Sequence, residues 1–333
     1  MPLLSRGRKR KRVGTRTDVD ISLYYASDVH GSDRCWRKFL NAGRFYNVDA
    51  LVMGGDLTGK AIVPIEHKPD ATYSTTFLGE IRVAATDREL EEMLDAIRMN
   101  GMYPWIASAG EIAEERSDPG GNDELFARVI GADLKRWVRL AEDRLSDGAI
   151  RAFVMAGNDD PWWVDDILRS ATRLTFCDDT IVPVGPYEML SCSYANRTPW
   201  DSPRELDEDA LYRRLRSLAD QLERPDRAIL NLHVPPYDSG LDIAIELDAS
   251  LKVQTASGQP IPVPVGSTAV RQLIEELQPL VALHGHIHES RGQTQIGRTW
   301  AINPGSDYNT GDIHGAIVRL EGTRVMQHQL VAG

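Results

Sequence analysis

Short apolar runs alternate along the chain with longer stretches in which apolar residues recur at helical spacing. From residue 20 onward each apolar run ends at a cluster of polar residues, which is typical of buried strands. The predicted strands are 21–26, 50–53, 152–156, 228–232, 280–283, 300–302 and 316–320. The predicted helices are 87–99, 124–145, 209–222 and 268–277, and Thr86 and Glu89 have the spacing of a capping box. Because strands and helices alternate, we predict an α/β fold.

A long segment interrupts this alternation after the second strand. Between Asp56 and Asn158 lie 101 residues, whereas a βαβ unit needs about 30. We predict a mainly helical cap insertion over about 60–148, in which 60–80 is irregular or forms a hairpin. A second excursion, 238–265, is rich in Pro and Gly and lacks clear periodicity. Each segment either borders the ligand crevice or embellishes the surface, and the sequence leaves both interpretations open.

The charge of the chain is unevenly distributed. The 333 residues are 42% apolar, enough for a substantial core, and carry a net charge of −11. This excess of negative charge argues against a surface that binds nucleic acid or anionic membrane through overall positive charge. Seven basic residues lie between positions 6 and 16, so we predict a basic disordered tail over 1–19 and one domain over 20–333. The tail is either a solvated arm or a contact for nucleic acid or a targeting receptor.

The remaining composition bears on the compartment. The three cysteines are far apart and suggest neither a disulfide framework nor a cysteine-based zinc site. No apolar run approaches the roughly 20 residues of a transmembrane helix, and no secretory signal is evident. We therefore expect a cytoplasmic protein without a membrane span.

Polar side chains with metal-binding chemistry follow several predicted strands. Residues at i and i+2 of an extended chain project to the same side, so Asp28 and His30 can share one ion. Two glycines precede Asp56, whose carboxylate can bridge two cations. Because loops at strand carboxyl ends form the ligand crevice of α/β sheets, we expect these groups to converge. Without metal they would crowd unpaired polar atoms at considerable desolvation cost, which a dinuclear metal centre relieves. The groups are Asp28, His30, Asp56, Asn158, His233, His286 and His288.

The order of these motifs resembles the calcineurin-like metallophosphoesterase family. The resemblance extends from residue 28 to about residue 306 and implies a four-layer α-β-β-α sandwich with two mixed β-sheets. It also implies two metal sites that share one carboxylate. The matching motifs are Asp28-x-His30, Gly55-Asp56, Gly157-Asn158, His233 and Gly285-His286-x-His288. By resemblance, Asp28, His30, Asp56 and His288 hold one metal, and Asp56, Asn158, His233 and His286 hold the other.

The ligand types restrict the metals. Imidazole and carboxylate donors without thiolate suit Mn, Fe, Zn, Co or Ni better than Ca or Mg. A bridging carboxylate agrees with the spacing of about 3.5–4 Å between ions in two-metal sites. We expect two divalent transition-metal ions, with Mn supporting activity in vitro.

The predicted activity is hydrolysis of a phosphoester by a metal-bound hydroxide that attacks in line with the leaving oxygen. The residues assigned to catalysis are Asp56, Asn158 and Asp159. The substrate is a small phosphorylated or phosphodiester compound. The alternative is a catalytically weak metal-binding scaffold or interaction module on the same fold.

The chain departs from the family pattern after Asn158. Many members carry a histidine there that is thought to protonate the leaving group, whereas this chain has Asp159. A carboxylate beside two cations is ionised near neutral pH and donates a proton poorly. We therefore predict a preference for phosphodiesters or for esters with good leaving groups. Asp160 occupies an acidic position of the family and is expected to orient a ligand through hydrogen bonds.

Further side chains have two interpretations each. His284 either orients a metal ligand or is a packed structural residue. Arg197 either binds substrate phosphate or forms an ion pair on the surface. Trp162 and Trp163 either stack on a ring of the substrate or pack in the core. His314 lies at another predicted strand edge, where its side chain either reaches the ligand crevice or lies outside it.

Overall fold

The structure is a computed structural model that describes residues 20–117, 122–248 and 250–333. The basic tail predicted over 1–19 lies outside these residues. None of the helices in the described ranges has the length and apolarity needed to cross a bilayer.

Helices and strands alternate along the described residues, as the apolar pattern predicts. The helices are α1 (Asp33–Phe45), α2 (Asp87–Met99), α3 (Ala109–Ser117), α4 (Asn122–Arg144), α5 (Val164–Arg169), α6 (Glu208–Ala219) and α7 (Thr268–Leu277), with a 3₁₀ turn at Pro225–Arg227. The strands are β1 (Ile21–Ala26), β2 (Ala50–Met53), β3 (Ile62–His67), β4 (Tyr73–Phe77), β5 (Glu80–Ala84), β6 (Tyr103–Ala107), β7 (Arg151–Val154), β8 (Leu174–Phe176), β9 (Thr180–Val184), β10 (Tyr187–Cys192), β11 (Ala195–Asn196), β12 (Glu205–Leu206), β13 (Ile229–Leu232), β14 (Ile243–Ile245), β15 (Thr255–Ala256), β16 (Gln259–Pro260), β17 (Pro262–Pro264), β18 (Val281–Leu283), β19 (Gly292–Ile296), β20 (Thr299–Asn303), β21 (His314–Glu321) and β22 (Arg324–Ala332).

Two mixed six-stranded sheets form the centre of the structure. Sheet I has the order β22-β21-β1-β2-β7-β8, and sheet II has the order β19-β20-β18-β13-β10-β9. In sheet I, β1, β2, β7 and β8 run parallel, β21 is antiparallel to β1, and β22 is antiparallel to β21. In sheet II, β10, β13, β18 and β20 run parallel, and β9 and β19 flank them in the antiparallel sense. The parallel strands of each sheet therefore present their carboxyl ends at a common edge.

Both faces of the inner strands are covered, which explains why these strands are predominantly apolar in sequence. In β1, Leu23 and Tyr25 belong to one apolar cluster and Tyr24 and Ala26 to another, so alternate residues point to opposite faces. The first of these clusters also contains residues of β10, β13 and β18, so sheets I and II share it. The second cluster joins sheet I to helices α1 and α4. A third cluster joins sheet II to helices α6 and α7.

The insertion between β2 and β7 contains a sheet as well as helices. Strands β3 to β6 form a four-stranded sheet in the order β5-β4-β3-β6, which we call the insertion sheet. Its apolar cluster includes Ile65 and Phe77 from the strands and Ile97 from α2. The predicted hairpin within 60–80 is present, since β3 and β4 pair in the antiparallel sense. The four-stranded sheet to which it belongs was not predicted, because strand residues such as Ser74 and Thr76 are polar and only one face is buried.

The predicted α/β class is confirmed, and each of the seven predicted strands corresponds to a strand of the structure. Helices α2 and α7 have the predicted bounds. The capping box is present: the Thr86 side chain accepts a hydrogen bond from the Glu89 amide, and the Glu89 carboxylate accepts one from the Thr86 amide. Helix α1 was not predicted, although Ser32 caps its first turn. The domain bounds at 20–333 and 60–148 stay predictions.

Candidate metal centre

The predicted ligand residues lie in loops at the carboxyl ends of parallel strands from both sheets. Asp28 and His30 follow β1, Asp56 follows β2, and Asn158 follows β7 in sheet I. His233 follows β13 in sheet II. The loop after β18 in the same sheet adds His286 and His288. Each apolar strand therefore delivers one polar segment to a shared edge, which is where ligands bind in open α/β sheets.

The backbone around these side chains is strained. Four of the residues have positive φ angles: 57° at Asp28, 38° at His30, 50° at Asp56 and 66° at His286. A residue with a side chain adopts this region at a cost of about 1–3 kcal/mol, and such residues cluster at functional sites. The strained backbone at these four positions indicates that they are kept for the direction in which their side chains point, at a cost in local stability.

Two glycines allow the loops to approach one another closely. A Cβ atom at Gly157 would overlap Oδ1 of Asp56. A Cβ atom at Gly285 would overlap Oδ2 of Asp28. Both glycines precede a predicted ligand, so the space that they leave is occupied by a carboxylate from the neighbouring loop.

The first group of candidate ligands consists of Asp28, His30 and His288, whose ligand atoms lie within 4.8 Å of one another. Nε2 of His288 is 3.4 Å from Oδ1 of Asp28. Nε2 of His30 is 3.1 Å from Nε2 of His288. Because a neutral imidazole nitrogen without hydrogen is an acceptor, a proton or a cation has to lie between these two nitrogens.

The second group consists of Asp56, His233 and His286, again with ligand atoms within 4.8 Å of one another. Oδ2 of Asp56 is 3.3 Å from Nε2 of His233 and 3.6 Å from Nε2 of His30. Asp56 is therefore the carboxylate that lies between the two groups. His30 and Asp56 also form a third group with Asp159.

The donors around the cluster fit a metal ion better than they fit one another. Two buried atoms of the predicted ligands have no hydrogen-bond partner among the described residues: Oδ1 of Asn158 and Nε2 of His233. Nε2 of His233 is 3.3 Å from Oδ2 of Asp56, but this contact is not a hydrogen bond. Nδ1 of His233 lies 2.8 Å from the carbonyl oxygen of Gly54. A carbonyl only accepts, so Nδ1 carries a proton, and Nε2 is the nitrogen that could bind a metal ion once its own proton is lost. These His and Asp clusters can bind metal.

Buried opposite charges set the protonation of the cluster. Burial lowers the pKa of His233, but the Asp56 carboxylate raises it further, to about 10. Burial raises the pKa of Asp56, yet the imidazoles of His233 and His30 hold it well below its usual range. Burial and the charge on His233 lower the pKa of His286 to about 4. A metal ion held by His233 would compete with the proton on this imidazole, so its affinity would rise with pH.

Asp160 holds two of the ligand loops together. Its fully buried carboxylate accepts hydrogen bonds from the amides of Leu57 and Thr58 and from the amide of Gly157. The Thr58 hydroxyl donates to the same carboxylate at 2.7 Å. Asp160 therefore links the loop that carries Asp56 to the loop that carries Asn158.

Asp159 lies at the edge of the cluster and is engaged on both oxygens. Ser202 donates its hydroxyl to Oδ1 at 2.6 Å. The ammonium of Lys60 lies 2.7 Å from Oδ2. The Asp159 amide donates to Oδ1 of Asp56 at 3.1 Å. The position after Asn158 therefore holds a carboxylate paired with a lysine.

Two other predicted site residues, His284 and Arg197, have partners within the protein. His284 is fully buried, its Nδ1 lies 2.9 Å from the carbonyl of Leu232, and burial lowers its pKa to about 4. Arg197 pairs with Asp201 and Asp207, both at 3.3 Å, and its side chain is 55% exposed.

The remaining aromatic candidates lie apart from the cluster. Trp162 is stacked under the guanidinium of Arg204, 4.4 Å from its ring centroid, and Trp163 packs on the core. Trp162, Trp163 and His314 are not among the described residues that line the cavity over the cluster.

Sequence reasoning missed three residues that support the site. Arg204 is buried and donates its amide to the Asn158 carbonyl and Nε to the Asp160 carbonyl. Lys60 and Ser202 hold Asp159. No local pattern marks these residues, because their partners are distant in sequence.

A cavity of about 710 Å³ opens over the cluster. Its lining includes Asp56, Asn158, Asp159 and His286, together with the predicted phosphate-binding Arg197. The volume is typical of a small-molecule site.

One curated protein is similar in sequence over much of the chain. An uncharacterized protein of Methanocaldococcus jannaschii is 32% identical over 177 residues, which cover 53% of this chain and 72% of that protein. The chain belongs to the family of this archaeal protein. No protein-family model matches the chain.

Solved structures match over almost the whole chain. The protein TT1561 of Thermus thermophilus is 15% identical with a TM-score of 0.50, covering 94% of this chain and 98% of that chain. A structure described as a novel archaeal phosphodiesterase is 11% identical with a TM-score of 0.34, covering 94% of this chain and 100% of that chain. The likeness to TT1561 shows a shared fold. These matches show the fold alone and are consistent with the resemblance of this chain to the calcineurin-like metallophosphoesterase family, which rests on the order of its sequence motifs.

Proposed function

We propose that this protein is a dinuclear metal-dependent phosphoesterase. The observation that carries the proposal is the pair of ligand groups joined through Asp56, in which His30 and His288 face each other with their ring nitrogens and Asn158 keeps a buried oxygen unpaired. One ion would be held by Asp28, His30, Asp56 and His288, and the other by Asp56, Asn158, His233 and His286. Two sheets packed face to face, with helices outside, support a four-layer sandwich that brings these loops together.

Two bound cations supply a water of lowered pKa and positive charge for the phosphoryl oxygens. The protein supplies the geometry. The His286 amide donates to both oxygens of Asp28, at 3.0 and 3.1 Å, and Ser306 donates to the Asp28 carbonyl. Asp160 fixes the loops of Asp56 and Asn158, so the ligands are held before metal binds.

The proposal predicts a metal requirement. Elemental analysis of protein incubated with Mn²⁺ is expected to find two ions per chain, and the protein is expected to hydrolyse bis(p-nitrophenyl) phosphate. Removal of metal by a chelator should abolish turnover, and added Mn²⁺ should restore it. A protein that binds two ions without measurable turnover would instead support the scaffold hypothesis. Protein that binds no metal would contradict both.

The surroundings of Asp159 support a preference for phosphodiesters or for good leaving groups. Its carboxylate is engaged by Ser202 and Lys60, and no histidine occupies this position. We expect hydrolysis rates of aryl phosphates to fall steeply as the leaving group becomes more basic. Asp159→His should raise the rate on the poorest leaving groups, because an imidazole can donate a proton near neutral pH. Because Asp159→His also removes the ion pair of Lys60, Lys60→Met is the control that removes this ion pair and keeps Asp159. A flat dependence on leaving-group basicity in the unaltered protein would contradict this prediction.

A further inference from the structure

The cavity over the metal cluster continues onto an apolar surface. Strands β14 and β17 pair in the antiparallel sense and form what we call the β14–β17 arm. Side chains from and next to these two strands line the cavity together with the cluster: Ala244, Ile245, Leu247, Val263, Pro264 and Val265. The rings of Trp200 and Tyr237 line the same cavity. A phosphate group at the cluster would be too small to fill this volume, so a bound ester would place its remaining part against the arm.

The arm is attached firmly beside the cluster. The buried carboxylate of Asp242 accepts the amides of Asp238 and Gly266, at 2.8 and 3.1 Å, and so closes the base of the arm. Ser290 accepts the amide of Ile243 at 2.6 Å and donates its hydroxyl to the Ile243 carbonyl at 2.8 Å. Ser290 lies two residues after the predicted ligand His288. The apolar surface is therefore held in a fixed position relative to the cluster.

The charges that line the cavity restrict what the arm can bind. Among the described lining residues, the lysine and arginine side chains are those of Lys60 and Arg197, and both already pair with carboxylates. Glu246 of the arm and Glu289 next to it line the cavity as well. A second phosphate along the arm would meet these carboxylates without a free cation, so a polyphosphate or a nucleic-acid strand is disfavoured. An uncharged group meets no such penalty.

We propose that the β14–β17 arm binds an uncharged aliphatic group that is esterified to the phosphate at the metal cluster, so that the substrate is an amphiphilic phosphate ester. This inference rests on the proposed function. The side chains of Ala244, Ile245, Leu247, Val263 and Val265 are alkyl groups and offer no hydrogen bonds to a nucleobase. Alkyl chains gain from burial against such a surface in proportion to their length.

The experiment compares alkyl p-nitrophenyl phosphates with methyl, butyl and octyl groups, together with thymidine p-nitrophenyl phosphate, in the presence of Mn²⁺ and below the aggregation concentration of each ester. A fully buried methylene contributes up to about fourfold, and we expect kcat/KM to rise at least about tenfold from methyl to octyl. The thymidine ester should be slower than the octyl ester. A flat dependence on chain length, or a faster thymidine ester, would overturn the proposal. A dependence of kcat/KM on chain length that appears only above the aggregation concentration of the ester would also overturn it.

Two exposed positions in the same excursion provide a matched pair of variants. Ile245 lines the cavity and is 39% exposed, whereas Val253 is 52% exposed and lies outside the lining residues. Ile245→Asp should lower the octyl-to-methyl ratio of kcat/KM at least about fivefold, and Val253→Asp should leave the ratio unchanged. Equal effects of the two variants would contradict the proposal. If Ile245→Asp does not fold, Val263→Ser at the lining of β17 replaces it.

Binding measurements separate this inference from the proposed function. Calorimetry with octyl phosphate and methyl phosphate should show tighter binding of the octyl compound to the unaltered protein, and Ile245→Asp should remove the difference. If this holds while no ester is hydrolysed, the proposed function fails and the arm still binds alkyl chains. If esters are hydrolysed without any effect of chain length on rate or binding, the function stands and the inference about the arm is wrong.

Discussion

Asp56→Asn is expected to lower the turnover of bis(p-nitrophenyl) phosphate by at least about 1000-fold. Asp56 lies 3.3 Å from His233 and 3.6 Å from His30, each in a different ligand group. A neutral amide keeps the size of the side chain but cannot supply a negative charge to two cations. The measurements are kcat with Mn²⁺ and the metal content by elemental analysis, which we expect to fall below two ions per chain.

An exposed carboxylate provides the control for this variant. Asp70 is exposed and its carboxylate accepts hydrogen bonds from Thr72 in a turn of the insertion. Asp70→Asn should retain full turnover and two ions. Unchanged turnover in Asp56→Asn, with a fold that matches the parent by circular dichroism, would refute a dinuclear centre bridged by this residue.

Arg204→Met is expected to lower the free energy of unfolding by about 3–5 kcal/mol. Arg204 is 1% exposed, and its guanidinium lies 2.6 Å from Asp165 and 3.1 Å from Asp178. Methionine fills much of the same volume but leaves Asp178 without its cation, while Asp165 keeps only the exposed Arg169, at 3.4 Å. Denaturant unfolding of both proteins gives the difference. Arg197→Met is the matched control, since Arg197 is 55% exposed with two ion pairs at 3.3 Å, and it should cost less than about 1 kcal/mol.

The effect of Arg204→Met should also depend on pH. Burial raises the pKa of Asp178 to about 6 even with the guanidinium present. Removal of the guanidinium raises that pKa further, so Asp178 takes up a proton in mildly acidic solution and its unpaired charge disappears. We expect a larger loss of stability at pH 8 than at pH 5. An equal loss at both values would show that the charge on Asp178 does not cause it.

The inner strands and the candidate ligands could be predicted because both depend on local sequence. β1 is covered on both faces, so five of its six residues are apolar, and Asp28 and His30 follow the strand within four residues. The same relation holds for Asp56 after β2. Where a strand is buried on both sides, its end is visible in the sequence as a change from apolar to polar residues.

The remaining features depend on partners that are distant in the chain. The insertion sheet buries one face against α2, so β4 carries polar residues and resembles a loop. Arg204 has the local sequence of a surface residue, and its burial follows from Asp165 and Asp178, 39 and 26 positions away. Lys60 meets Asp159 across the insertion. The sequence alone does not show which long-range neighbour a charged residue will find.

The candidate ligands come from both sheets, with Asp28 near the beginning of the described chain and His288 near its end. Ions that bind to all of them would fasten the two sheets at one edge and close loops of more than 200 residues in the polypeptide, much as a crosslink does. Occupancy would then protect the molecule from proteases and heat as well as prepare it for chemistry. We therefore expect the metal-free protein to be cleaved faster by proteases than the metal-bound form, in addition to being inactive.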